Sequence, residues 1–230
     1  MLILGMDTSG KTASVAVYDS DNRIFLSEAS IYTSLTHSQV IMPLCSDVLE
    51  KAGKSVRDID LIAVANGPGS YTGLRIGIAS VKAMAFGADC RVCGVSTLES
   101  LVYNNTAFQG IICPVMKARN NLVYTAVYSV KKFIPEMIMN EKIIPDEELT
   151  DFLSSNAMPV LLCGDGAEDF FRRYKSEMFL VAPPNTRLQN AYGVCLASAG
   201  KQSISPDLLN VSYMQKVKAE KDLEKASQNS

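Results

Sequence analysis

The sequence predicts an α/β fold with two pseudo-duplicated subdomains, each a mixed sheet with helices. Two observations lead to this fold class. A meander of short apolar strands is followed by alternating helices and strands, and the same plan starts again after about residue 109. The composition is also globular, with 47% apolar and 20% charged residues among 230, so the chain can bury a core. We place the subdomains at 1–103 and 104–215.

The first half is predicted to contain three strands, a helix, a strand, a helix and a strand. Apolar residues run together or alternate with small ones in the strands and recur at helical spacing in the helices. Thr36 is the predicted N-cap of the first helix, and Pro43 inside that helix predicts a kink or a later start. Gly87 is predicted to end the second helix. The ranges are 2–6, 13–18, 23–29, 36–51, 59–65, 71–86 and 91–95.

The second half is predicted to begin with a strand hairpin and to continue with helices around one further strand. The predicted strands are 111–116, 122–130 and 160–163. The predicted helices are 146–155, a helix from 167, and 192–201, and the last of these is expected to pack back on the first subdomain. Residues 216–230 are rich in Gln, Lys, Glu and Ser, so we predict a frayed tail with too little apolar surface to offset the entropy of ordering.

Charge and cysteine usage exclude several classes of protein. A net charge of −2 and a pI near 5.5 leave no basic face of the kind that grips RNA. The chain has no secretory pattern and no run of about 18 apolar residues, so we predict a cytoplasmic protein without a membrane span. The six scattered cysteines are expected to be free thiols, mostly buried as small apolar side chains.

Residues 5–12, G-M-D-T-S-G-K-T, match the phosphate-binding P-loop pattern at every required position. A P-loop needs a helix directly after the lysine, because the N-terminus of that helix stabilises the phosphates. Here Val15 and Val17 alternate with small residues, which is typical of a strand. We therefore predict that the match is a coincidence.

Residues 67–77, G-P-G-S-Y-T-G-L-R-I-G, lie between a predicted buried strand and a helix. A bare G-P-G is also typical of an ordinary tight turn. The full string, however, resembles the signature of the TsaB (YeaZ) family, and the resemblance extends over about residues 1–215. Further matching segments are Asp7-Thr8-Ser9, His37-Ser38-Gln39, G-V-S-T-L-E at 94–99, Ala118-Arg119, Val123-Tyr124, G-D-G-A at 164–167, and Tyr213.

The resemblance implies an actin/Hsp70/sugar-kinase-like (ASKHA) fold and an inactive paralogue of the TsaD/Kae family. It implies a scaffold that pairs with a catalytic TsaD subunit, with TsaE as the associated ATPase. That assembly transfers threonylcarbamoyl to the adenosine beside the anticodon of tRNAs reading ANN codons. In this interpretation the chain has no catalytic residue and no cofactor, and it meets tRNA only indirectly. Lys117 and Leu122 stand where the family usually has acids.

The residues for a metal site are missing from the sequence. The resembling catalytic subunits hold a metal with an H-x-x-x-H pair on one helical face. Here His37 is the one histidine, and Ile41 occupies the position four residues later. Cys90-x-x-Cys93 has no second ligand pair that would complete a zinc site. We predict no metal.

The helix predicted at 71–86 holds only two charges and is apolar on most of its surface, which indicates burial on most sides. Gly73 and Gly77 are four residues apart, a spacing that lets another helix approach closely. We predict that this helix and the 36–51 helix form a patch for a homodimer or, preferentially, for TsaD; the alternative is an internal core helix. Charge at Leu74 or Ile78 should then leave a folded monomer that no longer binds. The predicted patch comprises Val40, Ile41, Leu44, Val48, Gly73, Leu74, Arg75, Gly77, Ile78 and Lys82.

The rival interpretation is an active ASKHA ATPase or small-molecule kinase. Loops from both halves would then surround a nucleotide, since phosphoryl transfer depends chiefly on positioning and charge stabilisation. In the scaffold interpretation the same loops are vestigial. The candidate loop residues are Asp7, Thr8, Ser9, Gly67, Gly69, Gly164, Asp165 and Gly166.

Overall fold

The computed structural model describes residues 1–32, 36–119 and 121–214, and the tail predicted at 216–230 lies outside them. Ten strands form two sheets within these residues. The first sheet contains β1 (Leu2–Asp7), β2 (Thr12–Asp19), β3 (Ile24–Tyr32), β4 (Leu61–Gly67) and β5 (Arg91–Ser96). The second contains β6 (Gly110–Lys117), β7 (Leu122–Lys131), β8 (Ile134–Pro145), β9 (Val160–Cys163) and β10 (Phe179–Val181). The helices are α1 (His37–Lys51), α2 (Tyr71–Ala88), α3 (Thr97–Tyr103), α4 (Asp146–Ser154), α5 (Ala167–Arg173), α6 (Pro184–Arg187) and α7 (Ala191–Ser198).

The two sheets repeat one topology. The first has the order β3-β2-β1-β4-β5, with an antiparallel meander from β1 to β3 and parallel pairing of β1 with β4 and β4 with β5. The second has the equivalent order β8-β7-β6-β9-β10 with the same directions. This repeat confirms the predicted pseudo-duplicated α/β fold of the ASKHA class. The boundary between 103 and 104 stays a prediction.

Helix ends follow from local chemistry. At the start of α1, Thr36 and Gln39 form a capping box, so the helix begins at His37 and runs through Pro43. The later start predicted from Pro43 is therefore wrong. The hydroxyl of Ser70 accepts a hydrogen bond from Gly73 N (3.2 Å) at the start of α2. This helix passes Gly87 and ends at Ala88, and the capping residue Asp89 adopts the left-handed conformation.

Five layers build the molecule. Helices α1 and α2 cover the outer face of the first sheet, and α4 and α5 cover the outer face of the second. Between the sheets lie α7, packed on the first sheet, and α3, whose Leu98 and Leu101 pack on the second. The crossing of α3 and α7 is close, because a Cβ on Gly193 would lie 2.0 Å from the carbonyl oxygen of Ser100. None of the helices in 1–32, 36–119 and 121–214 is long and apolar enough to cross a membrane.

Candidate functional site

Loops from both halves meet at a cleft of about 690 Å³. The structure brings Ser9, Gly69 and Asp165, one from each predicted loop, to the walls of this cleft, together with Lys11 and Arg119. Directly after Lys11 the chain enters β2, so the helix that a P-loop requires is replaced by a strand. The cleft can therefore hold an anion by lysine and arginine side chains, but not by the P-loop mechanism.

Asp7 is buried beneath the cleft at the end of β1. Its Oδ1 accepts hydrogen bonds from the backbone N–H (2.8 Å) and the hydroxyl (2.6 Å) of Ser9. Its Oδ2 has no hydrogen-bond partner among the described residues. Burial raises the pKa of Asp7 to about 6, against the two hydrogen bonds from Ser9. The carboxylate thus holds the β1–β2 turn in place.

Replacing Asp7 by asparagine should flatten the dependence of stability on pH. Because the native pKa lies above the ordinary value of 3.8, the native state binds more protons, and its stability falls as pH rises through about 6. The shift corresponds to about 3 kcal/mol of unfolding free energy. Urea unfolding of both proteins from about pH 3.8 to above about pH 6 should show this loss of unfolding free energy only in the parent protein. Equal pH slopes would contradict this assignment of the buried charge.

The glycines of the 67–77 motif seat α2 against the β1–β2 turn. A Cβ on Gly69 would lie 2.4 Å from Ser9 O, and one on Gly73 would lie 2.0 Å from Thr8 O. The Thr8 hydroxyl donates to Gly73 O (2.8 Å) and would collide with a Cβ on Gly77 at 2.4 Å. Thr8 of the same chain therefore fills the space beside Gly73 and Gly77. The prediction that a partner helix packs closely against these two glycines is wrong.

Lys117, which replaces an acid of the family pattern, joins the two loops of the second half. Its ammonium contacts Asp169 Oδ2 on α5 at 2.5 Å, and its backbone N–H donates to Asp165 Oδ1 at 3.0 Å. Burial raises the pKa of Asp165, whereas Lys117 lowers it. Gly164, at a positive φ of 93°, supplies the turn that the loop requires before α5. Lys117 thus forms an ion pair at the cleft.

Helices α1 and α2 lie side by side on the first sheet, but most of the predicted patch faces inward. Ile41, Leu44, Val48, Leu74 and Ile78 are between 1% and 7% exposed, and all of them except Leu74 belong to the core cluster below the helices. These side chains cannot contact a partner while the protein is folded, so that part of the prediction is wrong. The outer face of the pair carries Arg75 of the predicted patch and four residues outside it, namely Met42, Ala79, Ala83 and Phe86.

Val40 and Lys82 of the predicted patch are half-buried. The ammonium of Lys82 donates to Asp207 O at 3.2 Å, which ties α2 to the C-terminal segment. Arg75 alone of the predicted patch residues is exposed. Its guanidinium lies 4.7 Å from the centre of the Tyr71 ring, at the mouth of the cleft.

Comparison with known proteins decides the family. The TsaD family model, described as tRNA N6-adenosine threonylcarbamoyltransferase, matches residues 31–215. The Bacillus subtilis (strain 168) protein named tRNA threonylcarbamoyladenosine biosynthesis protein TsaB is 35% identical over 164 residues, 71% of this chain and 71% of that protein. The chain belongs to the TsaB family. The Escherichia coli (strain K12) TsaB is 34% identical over 56% of this chain and 55% of its own length.

A solved structure of YeaZ from Pseudomonas aeruginosa shares the fold of this TsaB-family chain. The TM-score is 0.76 with 23% identity, over 93% of this chain and 99% of that one. The match therefore covers both sheets and the helices between them.

The segment 203–214 is a feature of this TsaB-family chain that the sequence did not reveal. Ile204 bridges to Val92 beside β5, and Ser212 N donates to Asn66 O at 2.8 Å. Tyr213 then stacks on Tyr71, with ring centres 5.4 Å apart. The segment thus ties residues 203–214 to β4, β5 and the start of α2. It has no periodic pattern, and the one signal in the sequence is Tyr213 itself.

No three His, Cys, Asp or Glu side chains come together as metal ligands in the part of the chain that the structure describes. His37 lies at the start of α1 with Ile41 buried one turn later. Burial raises the pKa of the Cys90 and Cys93 thiols, which is the opposite of the change that activates a redox cysteine.

Proposed function

We propose that this chain is a non-catalytic scaffold in tRNA threonylcarbamoyladenosine biosynthesis. It pairs with a TsaD-type catalytic subunit and works with a TsaE-type ATPase, and the assembly modifies the adenosine beside the anticodon of ANN-decoding tRNAs. Membership of the TsaB family carries this proposal. The partner holds the tRNA in this account, in keeping with the net charge of −2, and the work takes place in the cytoplasm.

The outer face of α1 and α2 is the proposed docking surface. Ala79 and Ala83 are exposed and four residues apart, so they form a shallow strip on which a partner helix can lie closely. Phe86, at one end of the strip, is 64% exposed and Met42, on the neighbouring helix, is 45% exposed. Aromatic side chains that become buried in an interface often carry a large share of its binding energy. The same face would support a homodimer when the partner is absent.

The arrangement around Asp7 supports the absence of catalysis. An ASKHA enzyme would need a carboxylate that reaches the metal or the reacting water. Here Ser9 donates two hydrogen bonds to one carboxylate oxygen, and the other oxygen is buried without a hydrogen-bond partner among the described residues. The carboxylate of Asp7 is thus engaged by Ser9 of the same chain, where an enzyme would use it toward a metal or water.

An active ATPase or small-molecule kinase is the second candidate, and the cleft favours it. Lys11, Lys117 and Arg119 surround a space that is large enough for a nucleotide. ATP hydrolysis by the purified chain alone distinguishes the two functions. We expect no hydrolysis above that of a matched Asp7→Ala variant. Robust hydrolysis that is lost in Asp7→Ala would establish the enzyme instead.

A further inference from the structure

A polar seam joins the second sheet to the helices between the sheets. We define the seam as Ser96, Glu99, Glu141 and Lys201. Strand β5 passes into α3 without a loop, and Ser96 caps the helix by accepting hydrogen bonds from Leu98 N (3.2 Å) and Glu99 N (3.4 Å). The same hydroxyl donates to Glu141 Oε1 on β8. One hydroxyl therefore connects the first sheet, α3 and the edge strand of the second sheet.

The seam contains two carboxylates and one cation. Glu99 in the first turn of α3 pairs with Lys201 Nζ at 2.9 Å, just after α7. Glu141 has no cation of its own among the described residues within ion-pair distance. Other titratable groups facing the seam are uncharged at neutral pH, namely Tyr103 on α3, Tyr128 on β7 and Cys93 on β5.

Partial burial makes the charge on Glu141 costly. Burial raises the pKa of Glu141, the Ser96 hydrogen bond lowers it, the charge of Glu99 raises it, and the charge of Lys201 lowers it. Because the pKa of Glu141 is raised in the native state, the seam stabilises the protein most at pH values below that pKa. This stabilisation is lost as pH rises through the pKa of Glu141. The hydroxyl of Tyr128 is buried without a hydrogen-bond partner among the described residues. It therefore adds no hydrogen bond that would offset the cost of the charge on Glu141.

We propose that the seam is a charge-sensitive hinge between the two sheets. With Glu141 ionised, repulsion from Glu99 competes with the hydrogen bond that Ser96 donates. When Glu141 is neutral, a weaker hydrogen bond from Ser96 remains, but the repulsion and the cost of the buried charge are gone, so β8 lies tightly against α3. The angle between the sheets is then restricted, independently of any partner subunit.

Electron spin resonance distances between the halves test the hinge. Spin labels would be placed at Lys54→Cys and Lys175→Cys, two exposed sites on opposite halves, with Cys90→Ser because the other five cysteines are buried. We expect the distance distribution to broaden between about pH 5 and about pH 8, and this broadening to be lost in Glu141→Gln. The matched control Glu136→Gln, exposed on the same strand, should broaden like the parent.

A second pair of variants tests the charge balance. Lys201→Gln removes the one cation, so the distribution at about pH 8 should be broader than that of the parent. Adding Glu141→Gln to that variant should narrow it again. The hinge is overturned if the parent distribution does not change with pH, if Glu141→Gln broadens like the parent, or if the double variant matches Lys201→Gln.

Discussion

Replacing Phe86 by glutamate should weaken binding to a TsaD-type subunit by roughly 100-fold. Phe86 is 64% exposed at the end of the Ala79–Ala83 strip, so the free protein loses no core contact. In the proposed complex, the new carboxylate would be buried where the parent protein places an apolar ring. An unpaired buried charge is strongly unfavourable. The effect should therefore appear in binding and not in folding.

Calorimetric titration with a purified TsaD-type subunit measures the change, and far-UV circular dichroism verifies the fold. Ile134→Glu is the matched control, because Ile134 is 70% exposed on β8 of the other sheet and should bind like the parent. Leu74→Glu should instead unfold the protein, since Leu74 is only 1% exposed in the core. Unchanged binding by Phe86→Glu would place the interface on a different face.

Replacing Gly73 by alanine should lower the free energy of unfolding by about 3 kcal/mol. The added Cβ would lie 2.0 Å from the carbonyl oxygen of Thr8, and 3.2 Å from its carbon. These are backbone atoms at the end of β1, so no flexible side chain can move aside. Either α2 shifts from the first sheet or the turn that holds Asp7 deforms. Urea unfolding at neutral pH measures the loss.

Gly87→Ala in the same helix is the control for helix propensity. Nothing lies within 4 Å of a Cβ at this position, so alanine should stabilise the protein by about 0.5 kcal/mol. A similar loss of stability in both variants would mean that the contact with Thr8 is not the cause. A stable Gly73→Ala protein would show that the close approach of α2 and the turn is dispensable.

The repeated order of strands and helices made the fold predictable, whereas four elements gave no signal, among them the four-residue helix α6. Strand β8 (Ile134–Pro145) is exposed along most of its length and mixes apolar with charged residues, so neither strand nor helix periodicity appears. Helix α3 has only seven residues and starts where β5 ends. Strand β10 has three residues. Tertiary contacts, not local pattern, specify these elements.

The candidate site was harder to predict because sequence spacing does not reveal which side of a helix is covered. A mostly apolar α2 was compatible with both a core helix and a docking helix, and in the structure it has one buried and one exposed face. Leu74 and Ile78 face the sheet, and Ala79 and Phe86 face outward. The role of Gly73 likewise required the position of Thr8, a residue far away in sequence. Segment 203–214 is fixed by contacts to Asn66 and Val92 that no local motif encodes.

Formation of threonylcarbamoyladenosine on tRNA, in a reaction reconstituted with TsaD-type and TsaE-type subunits, tests the scaffold account most directly. The reaction would be run without this chain, with it, and with Phe86→Glu. The account predicts modification that requires the chain and is lost with Phe86→Glu at equal concentration. Full modification without the chain, or full activity with Phe86→Glu after calorimetry has shown that it does not bind, would contradict it.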